Sequence, residues 1–136
     1  MNLPHAAAFA LVGWYLLVPP ALDLRNPSTQ TPGLFVDPSA PLLKWDTLAT
    51  YESKAECERG HRERFSRVKA TEQSDSAEAD SIAREGAELN QQKPLDSEKA
   101  NALLVRSIAA MVKIQSNQKV ILSECIATDD PRLKEK

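Results

Sequence analysis

Charged residues are missing from the first 22 positions of this chain, where no Lys, Arg, Asp or Glu occurs. A helix on the surface of a soluble domain needs a polar face, and this segment has none. The segment is typical of an export signal or a membrane anchor. Its central run, residues 6–18, would form about 20 Å of helix, which is short against a hydrocarbon core of about 30 Å. We therefore predict that residues 1–22 are an apolar helix serving as signal peptide or membrane anchor, with residues 3–22 in the membrane if uncleaved.

Several features of a standard export signal are also missing. The start of the chain has no Lys or Arg, and cleavage after Ala21 would put Pro19 where a small residue is expected. No cysteine follows the apolar run, which excludes a lipoprotein signal. The other interpretation is a buried N-terminal helix of a soluble protein.

An excess of positive charge is absent as well, since the formal net charge is −2. This argues against nucleic acid as a partner, because a dedicated binder needs surplus Lys and Arg to displace counterions. Aromatic residues make up only 5% of the chain, so its core is expected to be small and to benefit from a covalent link.

The remaining charge and proline divide the chain into three parts. Only Asp23, Arg25 and Asp37 are charged before Lys44, whereas seven of the nine prolines lie at or before Pro41. The sequence thus predicts an apolar head (1–22), an extended Pro-rich tether (23–43) and a charged domain (44–136).

The first half of the charged domain begins with a predicted strand over residues 44–51. Ser53 and Glu56 then match the S-x-x-E capping box, so a helix should begin there. The stripe Cys57, His61, Phe65 and Val68 gives that helix its apolar face. The pattern fades over residues 70–93, which we interpret as a weakly packed helix or a weakly ordered insert.

A second helix should begin at Asp96 or Ser97 and end near residue 117. Its best periodicity runs through Ala100, Leu103, Leu104, Ile108, Met111, Val112 and Gln115. Of these, we expect Leu104, Ile108 and Met111 to face the core. Residues 120–126 are rich in β-branched side chains and predict a strand, or else an extension of the helix. The expected fold class is α+β and helix-rich, with two helices between a short N-terminal and a C-terminal strand.

The two cysteines, Cys57 and Cys125, form an even pair. In an oxidising compartment such a pair suggests one disulfide, and in the cytosol it more often means two buried thiols. The apolar head favours the disulfide.

Segments at both ends of the chain resemble a group of uncharacterised short exported bacterial proteins. The shared features are an apolar run ending in Val18-Pro19-Pro20, Trp45, Cys57 at the start of a helix, and Cys125 shortly before Asp130-Pro131-Arg132-Leu133. The resemblance does not include residues 70–115. It implies a location in the cell envelope and a paired cysteine, and it implies no activity.

Three candidate sites remain. Cys57 and His61 lie one helical turn apart and could bind a soft metal such as Zn²⁺ together with Cys125 and Asp129, although the sequence contains no C-x-x-C. The same Cys57–His61 pair could also act as a catalytic dyad, but the sequence has no Gly-rich loop that would supply an oxyanion hole. An anion could bind the basic helix face, whose members are Arg59, Arg62, Arg64 and Arg67. Alternating glutamates make a solvated surface the other interpretation of that face.

The sequence therefore predicts an exported protein of the periplasm, or of the inner membrane facing the periplasm. Its expected role is structural or interactive, with an unknown protein partner, no cofactor and no catalysis. Metal binding by the two cysteines and His61 is the alternative function.

Overall fold

The computed structural model of the chain describes residues 12–23, 25 and 34–135. Three strands and two long helices follow one another along it, and two short 3₁₀ helices flank them. In chain order they are β1 (Trp14–Val18), a 3₁₀ helix (Leu42–Lys44), β2 (Asp46–Tyr51), α1 (Lys54–Asn90), α2 (Ser97–Ile121), β3 (Glu124–Ala127) and a second 3₁₀ helix (Pro131–Leu133). This arrangement confirms the predicted fold class, α+β and helix-rich.

The three strands form one antiparallel sheet with β1 in the centre, in the order β2-β1-β3. Leu16, Leu17 and Val18 of β1 are all buried. Because successive side chains of a strand point to opposite faces, burial of three in a row means that both faces of β1 are covered. The core of the molecule therefore lies around this strand.

The position of β1 corrects the prediction of an apolar helix over residues 1–22. The run Trp14–Val18 is a strand that pairs on both edges, so this part of the apolar head belongs to the folded domain. A strand buried on both faces shows the same unbroken apolar run as a hydrophobic helix, which is why the pattern misled. Residues 1–11 of the predicted head lie outside the described residues.

The end of the predicted tether is also part of the fold. Ala21 pairs with Val36 in an isolated antiparallel bridge, and the amide of Leu22 donates to the carbonyl of Phe35. Val36 is fully buried. The chain thus leaves the sheet after Ala21 and returns to it at Phe35, while residue 24 and residues 26–33 lie outside the described part.

The start of α1 follows the predicted capping box. The hydroxyl of Ser53 accepts from the amide of Glu56 at 3.2 Å, and the Glu56 carboxylate accepts from the amide of Glu52 at 3.3 Å. The helix then continues through residue 90, so residues 70–90 extend it and do not form a separate insert. Its first part packs on the sheet and the rest packs against α2.

α2 begins as predicted and ends later. Asp96 caps it by accepting from the amides of Glu98 and Lys99, both at 3.1 Å. The helix ends at Ile121, so β3 occupies only the last part of the predicted C-terminal strand.

The prediction that Leu104, Ile108 and Met111 face the core is wrong, since all three are exposed. The half-buried side of α2 carries Ala100, Leu103, Ser107 and Ala110 in its first part and larger side chains such as Ile114 further on. A Cβ added to Gly86 of α1 would meet Leu103 at 3.6 Å, an ordinary van der Waals contact, so Leu103 lies against α1 at Gly86.

Gly60 of α1 provides a stability test of the packing between α1 and β2. A Cβ at this position would lie 2.1 Å from Oη of Tyr51, whose hydroxyl accepts a 2.7 Å hydrogen bond from Arg64. Gly60→Ala must displace the Tyr51 ring and break that bond. We expect it to lower the free energy of unfolding by about 1 to 2 kcal/mol in thermal or urea melts.

The matched control is Gly86→Ala in the same helix, where the added methyl makes only an ordinary contact. Relief of glycine's helix penalty should raise stability there by up to about 1 kcal/mol. If Gly60→Ala stabilised the protein as well, the Tyr51 ring would not lie against Gly60.

Candidate functional site

Cys57 and Cys125 form the predicted disulfide, with their Cα atoms 6.0 Å apart. Cys57 lies one turn into α1 and is fully buried, and Cys125 lies on β3 opposite Leu16 of β1. The bond therefore fixes the start of α1 to the edge of the sheet. It joins the first half of the charged domain to its last strand across 68 residues.

The four predicted metal ligands are only partly brought together. In the disulfide neither sulfur is a thiolate, and Asp129 lies on an exposed turn after β3. His61 is one turn after Cys57 and has its Nε2 buried without a hydrogen-bond partner, while its ring meets Phe65 edge-on at 6.3 Å between centroids. Among the described residues, no group of three His, Cys, Asp or Glu side chains is placed to hold a metal ion.

The predicted basic face of α1 is mostly a solvent-exposed surface. Arg59, Arg62 and Arg67 are exposed. Arg64 is half-buried and donates to the hydroxyl of Tyr51 and to the carbonyl of Gly60. One of the four predicted anion ligands thus has a structural role between α1 and β2.

Polar contacts fix α2 against the far part of α1. The guanidinium of Arg106 donates to the carboxylates of Glu78 and Glu85, and these hydrogen bonds raise the pKa of Arg106 above its ordinary value. Nearer the sheet, the amide of Asn117 donates to Asp75 at 2.8 Å. Because these contacts lie on one side of α2, the opposite side of the helix points away from α1.

The most distinctive surface of the molecule is on the side of α2 that points away from these contacts. Five aliphatic side chains there are between 48% and 67% exposed. We call them the apolar stripe: Leu104, Val105, Ile108, Met111 and Val112. Their 3–4 spacing puts them along one line of the helix, as in a helix that packs against a neighbour.

The stripe and the half-buried face of α2 are two different faces of one helix. Leu104, Ile108 and Met111 each directly follow a half-buried residue, so the two faces are about 100° apart. Sequence analysis found the stripe residues and assigned them to the core. The sequence signal that could have separated the two faces is the presence of apolar residues at neighbouring positions, as in Leu103-Leu104 and Ala110-Met111.

The chain before β2 is held at the sheet-proximal end of α2. Gln118 accepts from the amide of Phe35 at 2.7 Å, and the side-chain amide of Gln115 donates to the carbonyl of Phe35 at 3.1 Å. Two side chains about one turn apart thus bind both backbone polar groups of a single residue, Phe35. Gln115, one turn beyond Met111, therefore marks the end of the apolar stripe.

Over the part of the chain that the structure describes, neither helix combines the length and the hydropathy needed to cross a bilayer. Comparison of the chain with protein-family models, with curated proteins and with solved structures finds no match in any of the three.

Proposed function

We propose that this chain is a non-catalytic docking module, in which a disulfide-linked sheet holds a long helical hairpin that presents the apolar stripe to a protein partner. The observation that carries the proposal is the stripe itself. Its five side chains expose an apolar patch of about 500 Å², near the upper limit for monomeric proteins, and patches of this size are often functional. The patch lies on a regular helix, as in partners that bind each other by helix packing.

We propose that the module works outside the cytosol, in the cell envelope. A disulfide is compatible with an oxidising compartment, because reducing systems keep cytosolic thiols free. The uncharged residues before β1 support export, as does the resemblance to short exported bacterial proteins. Since β1 begins at Trp14, any cleavage that leaves the domain intact must occur before that strand.

Site-specific photocrosslinking in cells that make the protein naturally tests the docking role. We expect benzoylphenylalanine at position 108 to give a discrete protein adduct and the same probe at position 102 to give none. Ala102 is a suitable control because it is also exposed on α2 but lies about 120° around the helix from Ile108. Val112→Glu should remove the adduct at position 108. Absence of any adduct at that position would contradict the docking role.

A second candidate function is metal binding by the reduced chain. The observation in its favour is the buried Nε2 of His61, which has no hydrogen-bond partner and lies one turn from Cys57. This candidate requires two free thiols per chain in protein isolated from its host without reductant. The disulfide leaves none.

A further inference from the structure

We propose that the partner of the apolar stripe is the same stripe on a second copy of this chain, with the two α2 helices antiparallel across a two-fold axis at Ile108. The inference rests on the proposed docking function and names its partner. In such a dimer each subunit presents the same surface, and the residue on the axis contacts its own copy. The two hairpins together then form a four-helix arrangement with α2 in the middle.

The first argument is the mirror symmetry of the stripe about Ile108. Val105 and Met111 lie three residues before and after it, and Leu104 and Val112 lie four before and after it. In an antiparallel pair centred on Ile108, Leu104 of one copy faces Val112 of the other, and Val105 faces Met111. Every exposed apolar side chain of the stripe therefore meets another apolar side chain.

The second argument is the charge at the two ends of the stripe. Glu98 lies one heptad before Val105 and is exposed, and Lys119 lies one heptad after Val112 and is half-buried, so the two residues stand at the two ends of the stripe side of α2. Antiparallel pairing brings Glu98 of each copy beside Lys119 of the other. Parallel pairing would bring like charges together and would separate the opposite ones. The charge pattern thus favours a second, antiparallel copy of this helix.

The third argument is area. The exposed apolar surface of the two stripes is about 1,000 Å² in total, which reaches the lower limit for a specific protein–protein interface. The polar residues that border the stripe add to this area. An area at this lower limit is typical of complexes that form and dissociate transiently.

Sedimentation velocity across micromolar concentrations tests the dimer with the full, oxidised chain. We expect a concentration-dependent dimer for the unaltered protein and at least a tenfold weaker one, on the order of the cost of like charges in contact, for Ile108→Glu. Ile108 is exposed, so this variant should keep the helix content and melting temperature of the original. Ala102→Glu is the matched control, since Ala102 is exposed about 120° around α2 from Ile108 and its carboxylate can pair with Arg106, and this variant should dimerise normally.

Cysteine crosslinking tests the antiparallel orientation and does not depend on the glutamate variants. Ile108→Cys should form a covalent dimer on mild oxidation. Lys119→Cys should not crosslink to itself, but it should crosslink to Glu98→Cys when the two variants are mixed. Self-crosslinking of Lys119→Cys would overturn the antiparallel arrangement.

A chain that stays monomeric at all concentrations would overturn the inference about the second copy. The docking function is judged separately by the photocrosslink at position 108. An adduct whose mass is twice that of the chain supports both proposals. An adduct of any other mass supports docking and overturns the dimer.

Discussion

Deletion of residues 1–22 should prevent the chain from folding. The deletion removes β1, with which both β2 and β3 pair, and it removes the buried side chains Leu16, Leu17 and Val18. Without the central strand, β2 and β3 have no strand to pair with, and the remaining core is too small to stabilise the domain. We expect loss of the cooperative thermal transition and of dispersed amide signals in the NMR spectrum.

Deletion of residues 1–11 is the matched control, because it removes no residue of the described elements. That shorter deletion should keep the cooperative transition. An unchanged melting temperature after removal of residues 1–22 would show that β1 is not the centre of the fold. The same two deletions test where an export signal could be cleaved, since cleavage after Ala21 would produce a chain without its central strand.

Removal of the disulfide should have the second large effect. The bond closes a loop across 68 residues, and in the chain-entropy model a loop of this size contributes about 4 kcal/mol. This is a large share of the stability of a small domain, which is typically about 5 to 15 kcal/mol. We expect Cys57→Ala and Cys125→Ala each to lower the free energy of urea unfolding by about 2 to 5 kcal/mol.

The free energy of unfolding of the double variant should lie within about 1 kcal/mol of that of the less stable single variant, because either substitution already removes the crosslink. Reduction of the unaltered chain should produce the same loss. Titration of thiols in protein isolated without reductant should find none. Two thiols per chain, with a zinc ion retained, would favour the metal-binding candidate.

Local signals in the sequence determined both helix starts and the disulfide partners. Ser53 and Asp96 cap their helices as their side-chain chemistry predicts, because N-cap hydrogen bonds are made within a few residues. The pairing of Cys57 with Cys125 followed from an even cysteine count and from the uncharged N-terminal run, which favoured an oxidising compartment. The fold class followed from the same elements.

The identity of β1 was decided only by the tertiary structure. The hydropathy of Trp14–Val18 indicates that this run is shielded from water. It does not indicate whether lipid, a helix or two neighbouring strands provide the shielding. β2 and β3, which border β1, come from distant parts of the chain.

The orientation of α2 was decided in the same way. Its sequence carries two adjacent apolar faces, and either could have faced the core. α1 covers the face that carries Leu103, which lies against Gly86, and Arg106 on the same side of α2 pairs with Glu78 and Glu85 of α1. The sequence therefore determined that α2 is amphipathic, and the packing of α1 determined which face remained on the surface. Periodicity measures rotation around one helix axis, whereas burial depends on where the neighbouring helix lies.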